Sequence, residues 1–402
     1  MGHNILIGLS GGPSVAINSS LAGIIYAADR NPSIDKIYGA HHGVEGVLED
    51  RLIDLAPFAD EQSLALLRQT PAMALGSCRK KLHPEDYPLI DERMRQYGIN
   101  VFFYIGGNDS MDTVMQLDRH FKAVGLPIQV IGVPKTIDND LPVTDHTPGF
   151  GSAAKYLYHT MSEIIRDSEI YPVKNVVIVE IMGRDSGWLT LAAGLSHYRN
   201  GGPPHIIALP EVPFDQYGFI EQVKTLLKTE RTVICAVSEG IRDKGGEYIG
   251  AETKSGQIDT FGHAYLSGVG KYLEYLVAEK LGCKVRSIEL NVLQRCASHL
   301  ASKTDLDEAF LIGEEAVEHA MRGETGITMI FCRQPGPGYR VKIDSTPVEH
   351  VANKAKDIPE GWLDLSDETV RQEVIDYLLP LIQGDLTPIC DETGLPVYIN
   401  LF

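Results

Sequence analysis

The sequence predicts an α/β protein built from two doubly wound, mainly parallel sheets, and three observations carry this expectation. Strand-length apolar runs alternate with longer helical patterns. Several of the runs are nearly continuous in Val, Ile, Leu and Phe, as expected of strands covered on both faces. A chain of 402 residues, 44% hydrophobic, has enough apolar material for two cores. Taken in order, the expected strands are residues 4–9, 101–105, 129–133, 175–181, 205–209, 232–237 and 327–331. The expected helices are residues 17–29, 152–167, 219–230, 266–280 and 305–322. Gln334-Pro335-Gly336-Pro337-Gly338 reads as a turn or exposed loop. The tail beyond Ile358 is less patterned and supports no assignment.

Composition excludes several classes of function. No apolar run approaches the ~18 residues of a membrane span. The opening nine residues lack a charged n-region and a cleavage pattern, so they read as a first strand, not a signal peptide. The cysteines Cys78, Cys235, Cys283, Cys296, Cys332 and Cys390 are scattered without a CxxC pair. That argues against a zinc site or disulfide scaffold and fits a reducing cytosol. A net charge of −18 makes sequence-independent binding to nucleic acid or to anionic membrane unfavourable. It also means that any phosphate substrate needs a local basic pocket.

Open α/β sheets bind ligands beyond the carboxyl ends of their strands, and four strand-end loops are unusual. The first strand runs into Ser10-Gly11-Gly12-Pro13-Ser14 ahead of a helix, where backbone N–H groups can approach an anion. A plain βα connection uses the same turn. A second glycine pair occurs in Gly106-Gly107-Asn108-Asp109, although Asp109 is equally suited to cap a helix. Next come Pro134-Lys135-Thr136-Ile137-Asp138-Asn139-Asp140. Here Asp138 and Asp140 can supply a general base and a water-mediated Mg²⁺ contact, with Lys135 as a point charge for phosphate; a solvated loop is the bland alternative. The fourth is Met182-Gly183-Arg184-Asp185, whose arginine either meets a transferring phosphoryl group or pairs with Asp185 at the surface.

In order and spacing these four loops resemble the phosphofructokinase family. So do Gly76-Ser77-Cys78-Arg79, Pro210-Glu211, Ser238-Glu239-Gly240, Arg286 and Gln294-Arg295. The resemblance runs from residue 4 to about 365. It implies two Rossmann-like domains: residues 1–149 with 294–344 for the phosphoryl donor, and residues 150–293 with 345–402 for a sugar phosphate. It implies Asp138 as the base on the sugar 1-hydroxyl, Thr136 beside it on phosphate, and Asp140 as a second ordering acid. It implies further that Arg79 and Arg184 neutralise the transferring phosphate, that Met182, Gly183, Glu239, Arg286 and Arg295 form the sugar-phosphate pocket, and that Gly11, Gly12, Gly107, Asp109 and Lys135 line the donor site. Mg²⁺ is the implied cofactor, held mostly through phosphate and water near Asn108 and Asp138. The implied assembly is a homodimer or homotetramer in which Arg286 enters a neighbour's sugar site.

Two departures point to the donor. Where ATP-using relatives have Gly-Gly-Asp-Gly and Pro-Gly-Thr, this chain has Gly106-Gly107-Asn108-Asp109 and Pro134-Lys135-Thr136, which resembles the pyrophosphate-dependent branch. A carboxylate where a nucleotide α-phosphate would sit repels it by about 4 kcal/mol at ~4 Å and an effective dielectric near 20, roughly three decades of affinity. The expected reaction is phosphoryl transfer from pyrophosphate to fructose 6-phosphate, reversible and in the cytosol. Three further positions depart from many members of the family. Asn108 replaces a metal-linked aspartate, Val292 a His or Tyr near the sugar, and Asn175 an arginine that reaches across subunits. A dinucleotide-binding dehydrogenase is disfavoured because Pro13 breaks the Gly-x-Gly-x-x-Gly fingerprint. An ATP-dependent kinase, or an inactive sugar-phosphate-binding regulator, remains the alternative.

Overall fold

In a computed structural model of the chain, the structure describes residues 2–170, 172–250 and 268–402. The strands are β1 (His3–Leu9), β2 (Ile34–Ala40), β3 (Leu52–Asp54), β4 (Ile99–Gly106), β5 (Gln129–Pro134), β6 (Asn175–Ile181), β7 (Ile206–Ala208), β8 (Thr232–Ser238), β9 (Lys284–Glu289), β10 (Ile327–Arg333) and β11 (Val341–Pro347). They form a seven-stranded sheet of order β11-β10-β5-β4-β1-β2-β3 and a four-stranded sheet of order β7-β8-β6-β9. The small sheet is parallel throughout. The large one is parallel at its centre and antiparallel only where β3 and β11 close its edges. The two-sheet α/β expectation therefore holds.

Strand burial explains which elements were legible. Ile5, Leu6, Ile7, Val101, Phe102, Phe103, Val130 and Ile131 have no solvent exposure. Central strands covered on both faces read as continuous apolar runs. β2 and β9 are only partly buried and carry charges such as Lys36 and Arg286, so no apolar run betrayed them. β3 and β11 went unread for the same reason. The helix Ile17–Asp29 matches its expected span, and the helices Phe150–Glu169, Gln216–Thr229 and Lys303–Met321 start two or three residues earlier than expected. Of the helix expected over residues 266–280, positions 266 and 267 lie outside the described residues; the rest is the helix Val269–Leu281.

Register decides what the sheets present. Leu9 pairs with Ile105 and Ile105 with Val133, so β1, β4 and β5 end level. Their following loops, with Gly11-Gly12, Gly107 and Lys135, emerge side by side. In the small sheet Ile181 pairs with Ser238, which sets Met182-Gly183-Arg184 beside Glu239. Asp305, buried in the helix Lys303–Met321, accepts the N–H groups of Gly149 at 2.9 Å and Ser152 at 3.0 Å. This links the two sheets through the start of the helix Phe150–Glu169.

The C-terminal segment reaches both cores. Val374, Leu378 and Leu381 of the helix Glu368–Leu381 pack with the helix Phe150–Glu169 in the core that also holds β6. Val348 and Val351 pack with Phe102 and Phe121, and Leu401 joins the core around β1. The expected turn at residues 334–338 joins β10 to β11, with the Gln334 N–H donating to the Arg340 carbonyl at 2.9 Å. Among the described residues, no helix is long and apolar enough to cross a membrane.

Candidate active site

A cavity of about 550 Å³ opens at the carboxyl ends of both sheets. It brings together Gly11, Gly12, Arg79, Gly107, Asn108, Asp109, Lys135, Thr136, Asp138, Met182, Arg184, Glu239 and Arg295. The sequence gathered all of these as site residues, from positions between residues 11 and 295. Gly183 and Arg286 do not line it. Gly183 contributes its backbone, and Arg286 lies on the exposed edge strand β9, away from the cavity.

On the large-sheet side, Lys135 is buried and its ammonium donates to the carbonyl of Gly12. Burial lowers the Lys135 amine to about 8, partly offset by the charge of Asp138. Gly107 caps the helix Asn108–Val124, and Asp109 stands in that helix's first turn facing the cavity. Asn108 is used in a way the sequence did not suggest. Its carbonyl accepts the Asn353 N–H at 2.6 Å and its amide donates to the Lys354 carbonyl. Both ends of the side chain therefore hold residues 353 and 354, which line the cavity together with Ala355. No motif marks this polar segment, and only the tertiary fold brings it to the site.

The turn after β5 is shaped by its own side chains. The Asp138 N–H donates to Thr136 Oγ1 at 3.1 Å, Thr147 Oγ1 donates to the Thr136 carbonyl at 2.8 Å, and Asn139 takes a left-handed conformation at φ 55°. Ser186 Oγ donates to the Asp138 carbonyl at 3.1 Å, tying the turn to the other side of the cavity. Burial and the neighbouring Asp140 push the Asp138 carboxyl well above the usual carboxylate range, against the pull of Lys135, Arg184 and Arg295. Asp140 is raised as well, chiefly by burial.

On the small-sheet side, two glycines set the backbone. Gly183 adopts φ +123°, a conformation that disfavours side chains. Gly240 packs so closely that a Cβ would lie 1.7 Å from the Arg184 carbonyl oxygen. Glu239 accepts the Gly183 N–H at 3.2 Å, and burial raises its carboxyl to about 7. Arg184 does not pair with Asp185, whose partner is Arg242, and its buried Nε has no hydrogen-bond partner among the described residues. Gln294 accepts the Met182 N–H at 3.1 Å, which fixes the short helix Leu293–Cys296 and hence Arg295. Burial and the charge of Arg79 lower the Arg295 guanidinium from its ordinary value. Asn175 is structural: its amide donates to Thr232 Oγ1 at 2.9 Å inside the sheet. Val292 is exposed.

Cations therefore ring a pair of half-buried carboxylates whose environment disfavours ionisation, and glycine turns line one wall. No cluster of three or more His, Cys, Asp or Glu side chains that could hold a metal unaided occurs among the described residues. Two carboxylates with few other protein ligands suit Mg²⁺, which keeps waters and binds largely through substrate phosphates.

Fold and cavity define a class: a two-sheet α/β protein whose strand-end cleft is built for phosphate groups. Comparison with known proteins narrows it. The phosphofructokinase family model matches residues 4–320, and the chain belongs to that family. It is 38% identical to the pyrophosphate–fructose 6-phosphate 1-phosphotransferase of Halomonas elongata, covering 99% of this chain and 96% of that one. It is 39% identical to the protein of the same name from Xanthomonas campestris, with the same coverage. The crystal structure of a pyrophosphate-dependent phosphofructokinase from Marinobacter aquaeolei superposes with a TM-score of 0.87 at 35% identity, over 98% of this chain and 95% of that one.

Proposed function

We propose that the chain is a pyrophosphate-dependent 6-phosphofructokinase. It moves a phosphoryl group from pyrophosphate to the 1-hydroxyl of fructose 6-phosphate, giving fructose 1,6-bisphosphate and phosphate, and runs in both directions. The observation that carries the donor assignment is the pair Asp109 and Lys135 at the glycine-lined end of the cavity. The carboxylate opposes a nucleotide α-phosphate, and the buried lysine suits a short polyanion. Retention of Asp138 and Arg184 in the cavity argues against an inactive regulator.

In this reading the sugar 1-oxygen attacks the terminal phosphorus of pyrophosphate, the bond to the leaving phosphate breaks, and Asp138 takes the hydroxyl proton. A carboxyl raised by burial accepts a proton more readily near neutral pH than an exposed aspartate does. Arg184 and Arg79 balance charge on the transferring group, Thr136 contacts phosphate, and Met182, Glu239 and Arg295 orient the sugar phosphate, with the Gly183 N–H holding Glu239. Mg²⁺, bound mostly through phosphate oxygens and water beside Asp138, would neutralise charge on the donor. We read Asn108 as a tether for residues 353 and 354 more than as a metal contact, because both ends of its amide are engaged.

The donor belongs, on the same proposal, to residues 1–149 with 294–344, and the sugar phosphate to residues 150–293 with 345–402. Arg286, exposed on an edge strand, supports a symmetric homo-oligomer in which it completes a neighbour's sugar site. Six free cysteines support a cytosolic setting. The test is stoichiometric. Purified enzyme given fructose 6-phosphate, pyrophosphate and Mg²⁺ is followed by phosphorus NMR, and fructose 1,6-bisphosphate and phosphate should appear in equal amounts. Pyrophosphate hydrolysis without a sugar product would contradict the assignment.

A further inference from the structure

Residues 353–356, between β11 and the C-terminal helix, touch both halves of the reaction site. At one end the backbone of Asn353 and Lys354 is held by Asn108, and Asn353 Nδ2 donates to Asp112 at 2.8 Å. At the other end the Lys356 N–H donates to the Asp140 carbonyl at 2.7 Å. The Lys356 ammonium donates to Asn139 Oδ1 at 3.1 Å and to the carbonyls of Thr144 at 3.3 Å and Asp145 at 2.9 Å. Asn139 is the left-handed residue immediately after Asp138 and is also held by the Tyr377 hydroxyl at 2.7 Å. Lys356 is seated on Trp188: its ammonium lies 5.1 Å from the ring centroid, and the indole N–H donates to the Lys356 carbonyl at 3.2 Å.

Nothing in these contacts reaches the cavity through the Lys356 side chain, which does not line it. The contacts to Asn139 and Asp140 hold the turn that carries Asp138, those to Thr144, Asp145 and Trp188 anchor Lys356 itself, and those of Asn353 and Lys354 tie the segment to the helix that carries Asp109. From this geometry we infer that Lys356 is a positioning residue for phosphoryl transfer, holding the Asp138 turn while its segment straps that turn to the start of the donor-side helix. The inference rests on the proposed role of Asp138 but not on the identity of the donor.

The test is a double-mutant cycle of Lys356→Met against Asp138→Asn, measured with whichever phosphoryl donor the wild type uses. A turn displaced by about an ångström costs on the order of a hundredfold in rate. Lys356→Met should therefore lower kcat by about that factor and leave the fructose 6-phosphate KM within about twofold. In the Asp138→Asn background the same change should add less than about threefold, because the two residues act as one unit. Lys356→Arg, which keeps the cation, should recover part of the rate, and it carries the cycle if the methionine variant does not fold. Both tryptophans of the chain, Trp188 and Trp362, sit here with ring centroids 5.9 Å apart, so tryptophan emission should shift in Lys356→Met. Unchanged kcat in a folded Lys356→Met would overturn the inference, and so would equal losses in both backgrounds or unchanged emission. A wild type inactive with pyrophosphate but active with another donor would overturn the donor assignment and leave this cycle decisive for Lys356.

Discussion

Asp138 is enclosed, beside a second carboxylate, in a site that resists its ionisation. Two outcomes follow for Asp138→Asn. If it is the base, kcat should fall by ~10²–10⁴ with little change in sugar KM; near-normal turnover would remove it from the mechanism. Its folded pKa is raised, so the fold prefers the neutral form. The penalty is absent below the unfolded carboxylate value of about 4 and grows as pH rises through the folded value. The asparagine variant should therefore melt higher than wild type near pH 8, with the difference shrinking toward pH 4; the opposite trend in thermal scans would contradict the burial argument. If Asp138 is the base, the raised value should also set the acid limb of kcat/KM in the free enzyme above the ordinary carboxylate range. On the proposed reading, donor choice is likewise decided by single side chains. Asp109→Gly should raise use of ATP, and Lys135→Gly should depress pyrophosphate use more than sugar binding. The double variant should depart from additivity because both side chains face one site. Loss of pyrophosphate activity in the double variant without any gain with ATP would assign donor choice to other contacts.

The turns at strand ends are stiffened by close approach, and they were the most legible parts of the chain. Gly11-Gly12, Gly107, residues 134–140 and residues 182–184 stand out because a strand end loaded with glycine and charge is unusual, and the level ends of β1, β4 and β5 then bring the first three together. What stayed hidden lacked a local signal. The helix Asn108–Val124 is amphipathic without an apolar run, so only its first residues drew notice. Edge strands β9 and β11 are half exposed. The segment 353–356 is a short polar stretch whose importance comes from what it touches. Gly240 tests the close-approach argument. A Cβ there must displace the Arg184 backbone, so Gly240→Ala should destabilise the protein by ~1–3 kcal/mol and reduce turnover together with stability. Urea titration of an alanine variant as stable as wild type would refute that packing.

Over the whole molecule, a chain of net charge −18 accommodates anionic ligands by concentrating Arg79, Lys135, Arg184 and Arg295 around one cavity. Arg286 alone of the expected basic set stands outside it. If it serves a neighbouring subunit, Asp138→Asn and Arg286→Ala subunits, each nearly inactive alone, should regain activity at a fraction of hybrid sites when mixed and reassembled. A fully active monomer at assay concentration would refute the shared site. The account's central claim concerns the donor, and it is tested most directly on the unmodified enzyme by measuring kcat/KM for Mg²⁺-pyrophosphate and Mg²⁺-ATP side by side at saturating fructose 6-phosphate. The repulsion expected from Asp109 predicts a preference for pyrophosphate of at least about a hundredfold. A wild type that prefers ATP would contradict the roles given to Asp109 and Lys135.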